Sequence, residues 1–247
     1  MKIKNYTYVI LPLLVVVFFL IVAYFGNQWY IAYQINKGNM EMASIGVNYS
    51  YIFESFNNIV PFWPWTVYPY IIAYPFWTGT FIYISMRSKD SMYTIMTMAI
   101  ITFIICGIWY FFWQSTVYDW RFTSGIFLNN DVLTPRTDLS FEESIVLWIY
   151  RSAMPLNAMP SLHTLMSWLC VIALRMDKKI PTFAKIIIWV LSLSIIISTQ
   201  TIKQHYIIDV IVGLALAEAS YWVLRNSRIV KVFAKWVSSF SKKLRLE

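Results

Sequence analysis

Long apolar stretches separated by short polar gaps dominate this chain. A helix that crosses the hydrocarbon core of a bilayer needs ~20 mainly apolar residues. Six stretches qualify: roughly 8–27, 67–86, 93–113, 160–176, 183–201 and 205–224. The fourth is short and opens at Pro160. No repeat of useful length relates the six. The pattern predicts an all-α polytopic membrane protein, with six transmembrane helices bundled over residues 1–224 and a separate tail over 225–247.

Two of the gaps are long. Residues 28–66 carry Pro61-Phe62-Trp63-Pro64-Trp65, which suits an interfacial or re-entrant segment. Residues 114–159 carry Ser140-Phe141-Glu142-Glu143, a capping-box pattern that predicts a short helix at about 141–151 lying across the outer surface. In the tail, Ile229, Phe233, Trp236, Phe240 and Leu244 recur every three or four residues, with Lys231, Lys235, Lys242 and Lys243 mostly between them. That is the pattern of a basic amphipathic helix on an anionic leaflet.

Composition agrees with the membrane reading. Of 247 residues, 59% are hydrophobic and 13% charged, against about half and about a quarter in a soluble domain. Aromatic residues reach 19%, and their amphipathic rings favour the water–lipid boundary. A net charge of +8 could point to nucleic acid, but the basic residues sit in short gaps and in the tail, where they set membrane topology instead. Cys106 and Cys170 lie inside apolar runs and suggest neither a disulfide framework nor a zinc site. The first apolar run, about 9–25, follows Met-Lys-Ile-Lys without a small-residue cleavage site, so it reads as a retained helix rather than a signal peptide.

Placing the N-terminus in the cytoplasm puts Lys2, Lys4, Arg87, Lys89, Arg175, Lys178, Lys179, Lys185 and seven tail residues inside. Only Lys37, Arg121, Arg136, Arg151 and Lys203 of the 20 basic residues stay outside. This asymmetry predicts a multi-pass protein of the plasma (cytoplasmic) membrane with both termini cytoplasmic.

The chemistry gathers on the opposite face. The two histidines of the chain, His163 and His205, fall at the outer ends of spans. Asp209 follows His205 by four residues, which in a helix shares one face. A carboxylate in an apolar span costs ~2.5–3.5 kcal/mol even on the gentle insertion scale, so such a group is expected to have a partner and a function.

Ala158-Met159-Pro160-Ser161-Leu162-His163 resembles the second motif of the type 2 phosphatidic acid phosphatase superfamily, usually P-S-G-H. Ser198-Thr199-x5-His205-x3-Asp209 resembles its third motif, S-R-x5-H-x3-D. Order, separation, side of the membrane and the number of spans also match. The P-S-L-H form, the run Lys203-Gln204-His205-Tyr206 and the aromatic stretch from Pro61 to Trp77 are similar to the branch of inositol phosphorylceramide and sphingomyelin synthases. The sequence departs from the family at Thr199, where the motif has arginine, and shows no clear copy of the first motif, K-x6-R-P.

The resemblance implies His205 as a nucleophile that forms a phosphohistidine, Asp209 as the carboxylate orienting it, and His163 as the acid that protonates the leaving oxygen. Residue chemistry gives the same roles. Pro160 suits a first helical turn whose amides, near Ser161, would bind phosphate. Lys203, Arg136, Arg121 and Arg151 are the candidate phosphate clamps, Lys203 foremost, although in an ideal helix it would point away from His205. No metal or cofactor is called for, since two histidines and one aspartate are a thin ligand set. The substrate class is a lipid phosphate and the surrounding partner is membrane lipid. Water as acceptor gives a phosphohydrolase; an alcohol gives a lipid phosphotransferase. A non-catalytic relative or a transporter is the further alternative, although transporters tend to show repeats and broken helices near the midplane.

Overall fold

The computed structural model describes residues 7–244, and Lys2, Lys4 and Arg245, which count in the charge asymmetry, lie outside them. Ten α-helices form among the described residues, and no strand. They are α1 (Ile10–Asn36), α2 (Glu54–Ile59), α3 (Val67–Arg87), α4 (Lys89–Phe112), α5 (Tyr118–Phe122), α6 (Phe141–Ser152), α7 (Leu162–Met176), α8 (Thr182–Thr201), α9 (Ile207–Leu224) and α10 (Arg228–Lys243).

All six apolar stretches are helical, but they are not equal. Four helices are long and apolar enough to cross a membrane: α4, α8, α9 and the N-terminal helix from Thr7 to Asn36. Tyr, Pro and Trp residues temper the apolarity of α3, which has 21 residues. The 15 residues of α7 give about 22 Å at 1.5 Å per residue, short of a ~30 Å hydrocarbon core. The first helix runs nine residues past its expected end at 27, because Gln28 to Asn36 contain neither Gly nor Pro and nothing stops helix propagation. Exposed Leu14, Phe18, Ile186, Val190, Trp222 and Val223 give the helices an apolar outer surface, as an integral membrane protein requires.

The helices pack around α4 and α7: the side chains of α7 are buried nearly all round, as are most of those of α4 from Ser91 to Phe103, while Ile108, Phe111 and Phe112 at the end of α4 are exposed. On one flank α1 lies along α4; on the other α7 packs on α8 and α9, and α3 on α8. In a bilayer, lipid tails are as apolar as leucine, so close packing and hydrogen bonds hold such helices together rather than water exclusion. The α1–α4 crossing shows this: Gly107 leaves room for Ala23, whose Cα would lie 3.3 Å from any Cβ added there. Polar ties include Trp77 Nε1 to Ser167 Oγ at 3.0 Å and Ser192 Oγ to the Ser167 carbonyl at 2.9 Å.

The helices alternate in direction, so α3, α7 and α9 begin at the same end of the bundle where α1, α4 and α8 finish. The long connections cover that end. In one of them Ser140 caps α6, and its capping box with Glu143 is formed. The basic residues Arg87, Lys89, Arg175, Lys178, Lys179 and Lys185 gather at the opposite end, where α10 packs on α4 and α1.

Candidate active site

His163 is the second residue of α7. Ser161 caps this helix by accepting a hydrogen bond from the Thr164 amide, 3.3 Å away. Pro160 therefore precedes the cap instead of occupying the first turn, and the Ser161 amide is engaged, donating to the Asp209 carbonyl at 3.0 Å. That bond ties the start of α7 to the start of α9. The approach is close enough that a Cβ on Gly213 would sit 2.8 Å from the Ser161 carbonyl oxygen, so α9 needs glycine there.

Aromatic rings from one face of α3 surround the His163 imidazole. Tyr70 stacks on it at 4.2 Å between centroids, Trp77 meets it at 5.2 Å and Tyr74 at 5.9 Å, both edge-on. These three lie at helical spacings of four and three, so one stripe of α3 builds the whole cage. The Nε2 of His163 is buried without a hydrogen-bond partner.

His205 is not helical. The α8 helix ends at Thr201, and Lys203 takes a left-handed backbone (φ +56°), the turn that commonly ends a helix. The Thr199 carbonyl then receives the amides of Gln204 and His205, at 2.9 and 3.1 Å, and Gln200 Nε2 donates to the His205 carbonyl at 2.6 Å. The position of the missing motif arginine thus holds the loop by its backbone, and the Thr199 side chain is fully buried.

The imidazole of His205 lies 2.8 Å through Nδ1 from the Ala158 carbonyl oxygen. A carbonyl only accepts, so Nδ1 carries the hydrogen and the lone pair of the neutral ring is on Nε2. Asp209, which the sequence suggests as the direct partner of the ring, instead has its Oδ2 3.7 Å from Nδ1. That oxygen accepts the Tyr206 amide at 2.8 Å and so caps the start of α9, while Oδ1 is buried without a partner. The closeness of His205 and Asp209 comes from this helix cap, not from two neighbours on one helical face. The two histidine rings lie 6.3 Å apart, centroid to centroid, and each residue is less than a tenth exposed.

The candidate cations behave differently from one another. Arg121, in α5, is buried and donates to the carbonyls of Tyr150, Ala153 and Met154 and to Gln204 Oε1, at 2.9 to 3.2 Å. It is a clamp on the end of α6 and the α8–α9 loop. Arg136 pairs with Glu143 at 2.7 Å, and Arg151 is exposed beside an outer cavity of about 380 Å³ that Arg121 also lines. Lys203 donates to the Val60 carbonyl at 2.6 Å and lies 4.6 Å from the Trp120 ring centre. Burial pushes its ammonium down to about 8. The contacts of Arg121, Arg136 and Lys203 run to main-chain carbonyls, Gln204, carboxylates or rings, not to either histidine.

Sequence reasoning missed the Ala158 carbonyl, the Tyr70–Tyr74–Trp77 cage, Gln200 and Asn157. Asn157 is buried in a left-handed turn (φ +58°), donates to the Tyr24 carbonyl at 2.9 Å and accepts from Gln114 and Asn27. It fixes the loop that presents Ala158. Polar residues at the ends of apolar runs were the available signal for Asn157 and Gln200. Among the described residues no three His, Cys, Asp or Glu side chains converge into a metal site.

No curated protein and no solved structure matches this chain. Residues 43–223 do match the PAP2 superfamily, and both histidines, Asp209, the helices α3, α4, α7 and α8 and all but the last residue of α9 fall within that span. The match covers well over half of the chain and takes in the whole pairing of α7 with the α8–α9 loop, so the protein belongs to the PAP2 superfamily.

Proposed function

We propose that this protein is a lipid phosphate phosphohydrolase working through a phosphohistidine on His205. The observation that carries the reading is the 2.8 Å contact of His205 Nδ1 with the Ala158 carbonyl, which leaves Nε2 as the free nucleophilic nitrogen beside His163. Nε2 attacks phosphorus and the bond to the lipid oxygen breaks, its electron pair leaving with that oxygen. His163 delivers a proton to it. In the second step His163 takes a proton from water as the water oxygen attacks phosphorus; the P–N bond breaks, its electron pair returns to His205 Nε2, and phosphate leaves. While phosphorylated, the imidazole is cationic, and the Asp209 carboxylate 3.7 Å away stabilises it.

Aromatic contacts suit His163 to this duty, because the Tyr70 ring holds it face-on and Trp77 fixes its edge. Lys203 is the clamp we favour for the phosphate: its side chain makes one hydrogen bond, and an ammonium has three donors. Charge asymmetry supports a six-span arrangement with the histidines on the extracytoplasmic side, α6 lying over that surface and α10 on the cytoplasmic leaflet of the plasma membrane.

Transfer to an alcohol shares the first half-reaction. It is favoured by one observation: both histidines are nearly shielded from solvent under the loops. The test is incubation of the purified protein with vesicles containing phosphatidic acid or an isoprenoid pyrophosphate, following free phosphate and lipid products together. Phosphate release that disappears in His205→Ala supports hydrolysis; new phospholipid without free phosphate supports transfer. Turnover retained by folded His205→Ala would overturn both.

A further inference from the structure

A slot on the lipid-facing side of the bundle ends at His163. It lies between α1 and α3 with α7 as its floor, and encloses about 270 Å³. Its walls are almost wholly apolar, from Val16, Leu20 and Phe25 on one side to Trp77 and Phe81 on the other, with Met166 beneath. The slot exists because α1 packs along α4, where Gly107 and Ala23 let the two helices approach, and is not drawn onto α3.

Its length is informative. The lining residues of α1 run from Leu13 to Phe25, about 18 Å at 1.5 Å per residue. Half of a ~30 Å hydrocarbon core is about 15 Å. The slot is therefore about as long as one leaflet is deep, and it runs from the histidine end down into the bundle. It opens sideways as well: Val17 and Ile21 on its rim are 40% and 41% exposed, on a helix that faces lipid. Its volume falls below the ~300–1,000 Å³ usual for compact drug-sized ligands, so it admits one hydrocarbon chain and not two.

We infer that this slot holds one hydrocarbon chain of the lipid phosphate substrate, admitted from the bilayer between α1 and α3, with the phosphate at its head between His163 and His205. A second chain, where the lipid has one, stays in the bilayer. The inference rests on the reading of the two histidines as the reacting pair. It adds a chain-recognition site made by α1, whose apolar lining residues lie before the part of the chain that matches the family.

The test has two arms. Leu20→Trp and, separately, Val17→Phe fill the slot without touching either histidine. Each should lower kcat/KM for a long-chain lipid phosphate by about tenfold or more, since even one methylene in a fitted pocket is worth about that much. Hydrolysis of a short-chain, water-soluble phosphate ester and the melting temperature should stay unchanged. Equal losses on both substrates, or no loss on either, overturn the inference. The second arm needs no turnover: His205→Ala protein in vesicles is irradiated with a lipid phosphate bearing a photoactivatable group on its chain. Label should map to α1 between Leu13 and Phe25 and to α3 between Tyr74 and Phe81, and should vanish when Leu20→Trp is added. Label confined to other helices, or unchanged by Leu20→Trp, overturns it. Failure of the histidine assignment shows itself separately, as turnover in His205→Ala alone.

Discussion

Replacing Asp209 by Asn separates its two tasks. The amide keeps an oxygen for the Tyr206 amide, so the cap on α9 survives, while the negative charge 3.7 Å from His205 Nδ1 is removed. That charge matters when the imidazole becomes cationic. At an effective dielectric of about 20, unit charges at this separation attract by about 4.5 kcal/mol. The cation is spread over the ring, so the usable part is smaller. At about 1.4 kcal/mol per decade, the expected loss in kcat is on the order of 10²–10³-fold. An aspartate that also fixes the imidazole tautomer costs more on this change, about 10⁴-fold in the serine protease triad. Here Ala158 keeps the tautomer, so the smaller figure is the signature of this arrangement. The assay is phosphate release from lipid vesicles, with acid-labile protein-bound phosphate trapped by rapid quenching. Thermal unfolding should be little changed, since a buried anion is traded for a neutral group of the same shape. A kcat within a few-fold of the parent, in protein that unfolds normally, would refute the electrostatic role.

The Gly213→Ala change places a methyl 2.8 Å from the Ser161 carbonyl oxygen, so α9 must move off α7; overpacking of this kind costs about 1–3 kcal/mol, read as a lower melting temperature together with reduced kcat. Lys203 is held at about 8, below its ordinary 10.5, so the unfolded chain binds more protons between those values and stability rises with pH across that window. Activity should fall as pH rises through about 8, where the folded protein loses the ammonium, and Lys203→Met should flatten both profiles; matched pH series of unfolding and turnover check this. Replacing Asn157 by Ala strands the groups that Gln114 and Asn27 offer it, at about 1–3 kcal/mol for a buried orphan. Its lower melting temperature should come with a kcat defect larger than that of a stability-matched core variant such as Leu169→Ala, because Ala158 is the next residue.

How much of this was legible in the sequence depends on what each feature is made of. Helices are written in the length of apolar runs, and all six runs are helices within a few residues at most ends. The exception, α1, shows why polar composition is a poor stop signal: with no Gly or Pro between Gln28 and Asn36, the backbone simply continues. His163, His205 and Asp209 were legible because ionisable groups are expensive beside apolar runs. Their geometry was not. A spacing of four suggested one helical face, whereas Lys203 turns left-handed and puts His205 in a loop ahead of α9. The partner of the imidazole is a backbone carbonyl, and every residue has one, so no residue type announces it.

The cations show the same limit from the other side. Arg121, Arg136 and Arg151 were grouped because they share a connection, but a guanidinium is drawn to whatever acceptors the fold leaves unsatisfied. The end of α6 leaves carbonyls at Tyr150 and Ala153, and Arg121 takes them. Arg136 finds Glu143, whose carboxylate already caps α6 through the Ser140 amide. Both arginines are thereby used in holding the roof over the histidines. Lys203 differs because its helix-ending turn points the side chain to Val60 and Trp120, across the very loop that carries His205. A phosphate arriving at Nε2 would need that ammonium to leave one carbonyl only, while Arg121 would have to give up four bonds. The geometry therefore ranks Lys203 ahead of Arg121 and Arg136 as the group that responds to substrate, and makes the pH series above the sharpest measurement of that ranking.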